Sequence, residues 1–144
     1  MIRHVAGIAE IVEDVEAAVG FYRDILGLPV KYEEDSPYAH VEVPGVLHFG
    51  LWSRIHAAEV TLGDASQADR IPLGFTVGLE VESVGEASGE MKTKGWPIAQ
   101  TRREEPWGQV TSRFFSPSGA LCEFSETPWA RRITRPVEVE SKEQ

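Results

Sequence analysis

The sequence predicts an α+β protein of two tandem βαβββ modules, and three observations carry that prediction. Strand-like and helix-like segments run in the same order twice along the chain. The helix-capping residues Asp14 and Ser83 lie 69 positions apart, and the glycines that end the two helices, Gly27 and Gly95, lie 68 apart. The turns closing each half, Pro44-Gly45 and Ser116-Pro117-Ser118-Gly119, are similarly displaced. Matched order and spacing of this kind is the mark of an internal duplication.

Each element has a local reason. Residues 4–12, rich in Val, Ile and Ala, read as a strand. Asp14 follows at a helix N-cap, where its carboxylate accepts from backbone N–H groups that lack a helical partner. Ala18, Phe21, Tyr22, Ile25 and Leu26 then recur at helical spacing, an apolar stripe to set against a sheet. Gly27 takes the left-handed position past the helix end, and Pro29 prevents its continuation. Strands are predicted over 30–33, 38–43 and 46–52, the last two joined by a type II turn at Pro44-Gly45. In the second half, residues 75–82 read as a strand, and Ser83 with Glu86 has the spacing of a capping box. Val84, Ala87 and Met91 form a thinner stripe, followed by strands over 96–101, 109–115 and 120–125. This gives a first module over 1–53, a polar, mixed connection over 54–72, a second module over 73–126 and a tail over 127–144.

Composition narrows the function classes. The net charge is −9, from 14 basic and 23 acidic residues, a field that repels phosphate backbones. The one basic cluster, Arg131-Arg132 with Arg135, sits in a glutamate-rich tail, so nucleic acid is not an expected partner. No apolar run approaches the roughly 20 residues of a membrane helix. The single cysteine, Cys122, excludes an internal disulfide framework and a multi-cysteine zinc site. With no signal-peptide pattern at the start, a cytoplasmic setting is expected.

The run Glu13-Asp14-Val15-Glu16-Ala17-Ala18-Val19-Gly20-Phe21-Tyr22-Arg23-Asp24-Ile25-Leu26-Gly27 resembles the first helix of the vicinal oxygen chelate proteins: the glyoxalases, bleomycin-resistance proteins and extradiol dioxygenases. Pro106-Trp107-Gly108, with Phe114-Phe115-Ser116-Pro117-Ser118-Gly119-Ala120-Leu121-Cys122-Glu123, resembles their closing hairpin, with Ser-Pro-Ser-Gly in place of the usual Asp-Pro-Asp-Gly. The resemblance spans residues 4–126. It implies that the modules form a curled mixed sheet around a concave pocket, with helices outside. Enzymes of this family hold a divalent metal on four inward positions, usually His, Glu or Gln. Carried across, those positions are Gly7, Gly50, Thr76 and Glu123, of which Glu123 alone is a good ligand. Transition-metal sites use three or four protein ligands, so the resemblance implies that the usual metal site is lost and no cofactor is expected. A displaced divalent metal on His48 and Glu123 is the weaker alternative.

Strand parity then selects the remaining candidates. His48 and Trp52 share the face of Gly50, whereas His4 points away. His40 and His56 read as solvent or structural residues. Trp107 borders the pocket in the resembling proteins, and Phe114 takes pocket parity with Ser112, leaving Phe115 toward a helix. Trp96 and Trp129 read as packing residues, the latter against a dimer partner. Cys122, next to Glu123, should face the helix layer. No nucleophile motif, phosphate loop or paired-cysteine motif is present. The expected function is metal-independent binding of a small organic ligand by His48, Trp52, Thr76, Trp107, Phe114 and Glu123, in a homodimer. The alternative is a lyase, isomerase or dioxygenase-type enzyme, metal-dependent or with Glu123 as general base. Whether the chain is an enzyme is left open by its residues.

Overall fold

A computed structural model describes residues 1–129 of the chain; most of the expected tail and its arginine cluster lie outside the described residues. Among the described residues eight strands form one sheet: β1 (Ile2–Val12), β2 (Val30–Lys31), β3 (Tyr38–Val41), β4 (Phe49–Ser53), β5 (Gly74–Val81), β6 (Gln100–Glu104), β7 (Val110–Phe115) and β8 (Leu121–Glu126). Their order is β2-β3-β4-β1-β5-β8-β7-β6. Each half repeats one arrangement, its first strand running parallel to its last, β1 with β4 and β5 with β8. The halves join where β1 and β5 pair antiparallel, Gly7 opposite Gly78.

The expected caps form. Asp14 accepts from the N–H of Ala17 to start α1 (Val15–Gly20), which widens into a π-type turn over Phe21–Ile25. Gly27 follows at φ 75°, a conformation that costs a glycine little. Ser83 accepts from Glu86 N–H to start α3 (Val84–Thr93), and the carboxylate of Glu126 receives Val84 N–H at 2.7 Å. α1 and the π-type turn after it lay Val15, Val19 and Tyr22 on Ala39, Val41, Phe49 and Leu51. α3 lays Val84 and Ala87 on Val81, Phe114, Cys122 and Phe124. These two clusters occupy the outer face of the sheet, and Cys122 lies in the helix layer as its parity requires.

Two segments differ from the sequence-based expectation. The strand expected over 96–101 forms at Gln100–Glu104 instead; Pro97 has no N–H to give a ladder. The polar connection holds a third helix, α2 (Arg54–Leu62), and a 3₁₀ turn over Ala65–Arg70. Ser53 caps α2 by accepting from His56 N–H, and Gly63 ends it at φ 77°. Its small residues Ala57 and Ala58, with Val60, pack on Ile11, Trp52, Ile71 and Leu121. Ile11 and Trp52 share parity with Gly7 and Gly50, so α2 lies on the inner face and closes one end of the concavity. Of the helices α1, α2 and α3, α1 and α3 lie on the outer face. No described helix is long and apolar enough to cross a membrane.

Candidate functional site

One row of residues crosses the sheet through its centre. Gly7 pairs with Gly78, Gly78 with Glu123, Glu123 with Arg113, and Arg113 with Gln100. On the other side of Gly7 stands His48, whose carbonyl accepts Ile8 N–H at 2.9 Å. Two adjacent strands therefore present bare backbone between His48 and Glu123. Above this glycine floor opens a cavity of about 760 Å³.

The floor is bare for two different reasons. A Cβ on Gly7 would lie 2.8 Å from the carbonyl oxygen of His48 and 2.9 Å from its Cβ, so backbone packing excludes a side chain there. A Cβ on Gly50 would meet the hydroxyl of Tyr38, which reaches across from β3. A Cβ on Gly78 would meet only Oε2 of Glu123 at 3.7 Å and the carbonyl of Gly7 at 3.8 Å, ordinary contacts.

On the β4 side, the Tyr38 hydroxyl is hydrogen-bonded to Nε2 of His48. Their rings stack at 5.7 Å, and the His40 ring meets His48 edge-on at 4.7 Å. Burial, with His40 beside it, pushes His48 from 6.5 down to about 4, so its ring is neutral at pH 7. Burial and the nearby Glu123 charge push the Tyr38 phenol up, keeping its proton on.

The β8 side holds a buried charge network. The Arg113 side chain, 2% exposed, donates from Nε to Glu123 Oε1 at 3.1 Å and from Nη1 to Gln100 at 2.8 Å. It also pairs through Nη2 with Glu105 at 2.9 Å. Glu105 accepts from Thr111 at 2.8 Å and pairs with Arg103 at 3.1 Å. Behind them, Glu80 accepts from the Ser125 hydroxyl and from Thr127 N–H. Burial pushes the Glu123 carboxyl up; Arg113 opposes the shift, while Glu105 and Glu80 add to it. Its Oε2 accepts no hydrogen bond from the described residues, and its side chain keeps 23% exposure. A carboxylate so placed offers one free acceptor to the cavity.

Of the residues singled out from sequence, His48, Trp52, Thr76, Trp107 and Glu123 line the cavity. The indole of Trp52 donates to His56 Nδ1 at 2.9 Å, and the Arg113 guanidinium lies 5.4 Å from its ring centre. Trp107 stands at the mouth with 47% exposure. Phe114 does not reach the cavity: it is buried on the outer face, 4.7 Å from Phe124 and in the cluster beneath α3. The register of β7 on β8 sets Arg113 opposite Glu123, so Arg113 takes the inner face and Phe114 the outer. Phe115 packs with the inner cluster, the reverse of its expected side. Tyr38, His40, Arg113 and Trp129 line the cavity without having been singled out for it. Arg113 could have been found by counting back from the Ser116–Gly119 turn to the partner of Glu123. Tyr38 carries no such signal, since its position depends on the missing side chain at Gly50.

The donor set can be weighed directly against a metal. Of the four positions carried over from the resembling enzymes, Gly7 is closed by the His48 backbone, Gly50 is covered by the Tyr38 hydroxyl and Thr76 is a poor ligand. Among the described residues no group of three or more His, Cys, Asp or Glu side chains converges to hold a metal ion. These residues do not fit the family's metal.

The comparisons agree with this architecture. No curated protein matches the chain significantly. A glyoxalase/bleomycin resistance protein/dioxygenase superfamily member from Vibrio splendidus 12B01 is 18% identical, with TM-score 0.56, over 88% of this chain and 100% of its own. Methylmalonyl-CoA epimerase from Mycobacterium tuberculosis is 19% identical, with TM-score 0.61, over 90% and 92%. A variant of the Streptomyces coelicolor methylmalonyl-CoA epimerase, in complex with 2-nitronate-propionyl-CoA, is 16% identical, with TM-score 0.59, over 88% and 96%. At these identities the likeness is one of fold. The superfamily profile itself matches residues 2–124, and with that span the chain belongs to the Glyoxalase/Bleomycin resistance protein/Dioxygenase superfamily.

Proposed function

We propose that the chain binds a small organic ligand in this cavity without a transition metal. The observation that carries the reading is the glycine floor: two of the four usual ligand positions are occupied by other atoms, and what remains is a roomy cavity. Its volume suits a drug-sized molecule. Trp52 and Trp107 supply ring faces, and Glu123 Oε2 supplies an acceptor for an N–H or cationic group on the ligand. A metal shared by His48 and Glu123 is disfavoured by the number of ligands. The two supply one ligand fewer than the three or four an ordinary site uses, and His48 Nε2 is engaged by Tyr38. A homodimer in the cytoplasm belongs to the same reading, on sequence grounds alone.

The test is elemental mass spectrometry of the purified protein, with thermal unfolding after incubation with Zn²⁺, Ni²⁺, Mn²⁺ or Fe²⁺. Metal well below stoichiometry and an unmoved melting temperature are expected. Near-stoichiometric metal that disappears in His48→Ala would overturn the reading.

One observation favours a second reading. The Glu123 carboxyl, pushed up by burial and open to the floor, suits a general base that takes a proton from carbon beside a carbonyl. If turnover of such a substrate is found, Glu123→Gln should abolish it while leaving the fold intact; unchanged turnover would remove Glu123 from the chemistry.

A further inference from the structure

We infer that the Tyr38 hydroxyl, held over Gly50 by His48, is the polar contact that replaces a metal-bound side chain, and that it donates to a carbonyl oxygen of the ligand. The inference rests on the cavity being a ligand site, and names the chemistry of one edge of that ligand. Three arrangements carry it. The phenol oxygen occupies the place where a side chain at position 50 would begin, and so sits at the floor. His48 Nε2 is its hydrogen-bond partner, and the near-parallel rings, 6° apart, brace it. Glu123 faces it strongly enough to bear on its ionisation.

The direction of the hydrogen bond follows from charge. A phenol has one proton to give and lone pairs to receive. The negative Glu123 draws the positive end of the O–H dipole toward the cavity. The phenol oxygen then accepts from the Nε2–H tautomer of the neutral His48, and its proton is left for a ligand. An oxygen acceptor satisfies that proton; a donor on the ligand is better met by Oε2 of Glu123. The matching ligand is a carbonyl compound, lying on the glycine floor with its oxygen toward Tyr38.

Fluorenone and fluorene test this, since the two flat molecules differ in the carbonyl oxygen. Binding is read by quenching of tryptophan fluorescence, and the bound ketone by its infrared carbonyl stretch. The wild-type protein should bind fluorenone about tenfold more tightly than fluorene, the worth of one good hydrogen bond. The bound stretch should lie below its frequency in hydrocarbon. Tyr38→Phe, which keeps the ring, should erase both differences. Equal wild-type affinities with an unshifted stretch, or a preference that survives in Tyr38→Phe, would overturn the Tyr38 role and leave the cavity reading intact. Failure of both molecules to bind would instead count against the cavity as a site for flat organic ligands, and this inference would fall with it.

Discussion

His48 is held as a neutral imidazole, and this ties stability to acid in a definite direction. Its folded value, about 4, lies below the ordinary 6.5, so the folded state takes up its proton less readily than the unfolded chain. The contribution is whole above pH 6.5 and is lost as pH falls through about 4. It is on the order of 2 kcal/mol once partial exposure is discounted. Thermal unfolding of His48→Gln from pH 7 to pH 4 should therefore show a shallower loss of stability than the parent; parallel curves would contradict it. Glu123 acts in the opposite sense. Its carboxyl is raised, so the penalty of ionising it develops as pH climbs above the ordinary 4.5. The melting-temperature difference between Glu123→Gln and the parent should move in favour of the variant from pH 4 to pH 7.5, and a constant difference would show that no such penalty exists. At this scale the sequence was legible where one strand's alternation suffices, as at His48, Trp52 and Glu123. It misled at Phe114, because the face of β7 depends on its pairing with β8, and it was silent at Tyr38, whose placement depends on a residue of the next strand.

The strands of the floor respond differently to the same small change. Gly78→Ala places its methyl at ordinary contact distances, so the variant should melt close to the parent while losing about tenfold or more in ligand affinity. Gly7→Ala meets the His48 backbone at 2.8 Å and should cost about 1–3 kcal/mol of stability, as overpacking does. Chemical denaturation of both variants separates the two cases; equal destabilisation would mean that the floor is not open at Gly78. α2 is a second element with a clear dependence. Ser53→Ala removes the acceptor for His56 N–H and should cost about 1 kcal/mol. The loss would also loosen His56, which receives the Trp52 indole. α1 and α3 were legible from their caps and apolar stripes. α2 was not, because Ala57 and Ala58 bury little side chain and read as neutral in a segment otherwise polar, although they sit fully buried against the inner face.

For the molecule as a whole, the seam between β1 and β5 is what makes one sheet of two modules. Residues 1–72 produced alone would leave the β1 edge open, an invitation to pair with another chain. That fragment should elute as an oligomer in size-exclusion chromatography, and a stable monomer would show that the half-sheet needs no partner strand. The duplication was readable because matched caps and turns are local signals, repeated. A concave pocket was expected from the resemblance, but its depth was not, because that comes from absent side chains and from a linker helix folding inward. The hydroxyl lodged over Gly50 also sets a direction on change. A histidine or glutamate at 50 has to displace the Tyr38 ring before it can reach a metal, and displacing the ring surrenders the contact with His48. Return to the family's metal site would need that change together with others, since Gly7 is closed by the His48 backbone and Thr76 is a poor ligand, and the tyrosine works as a ratchet against it.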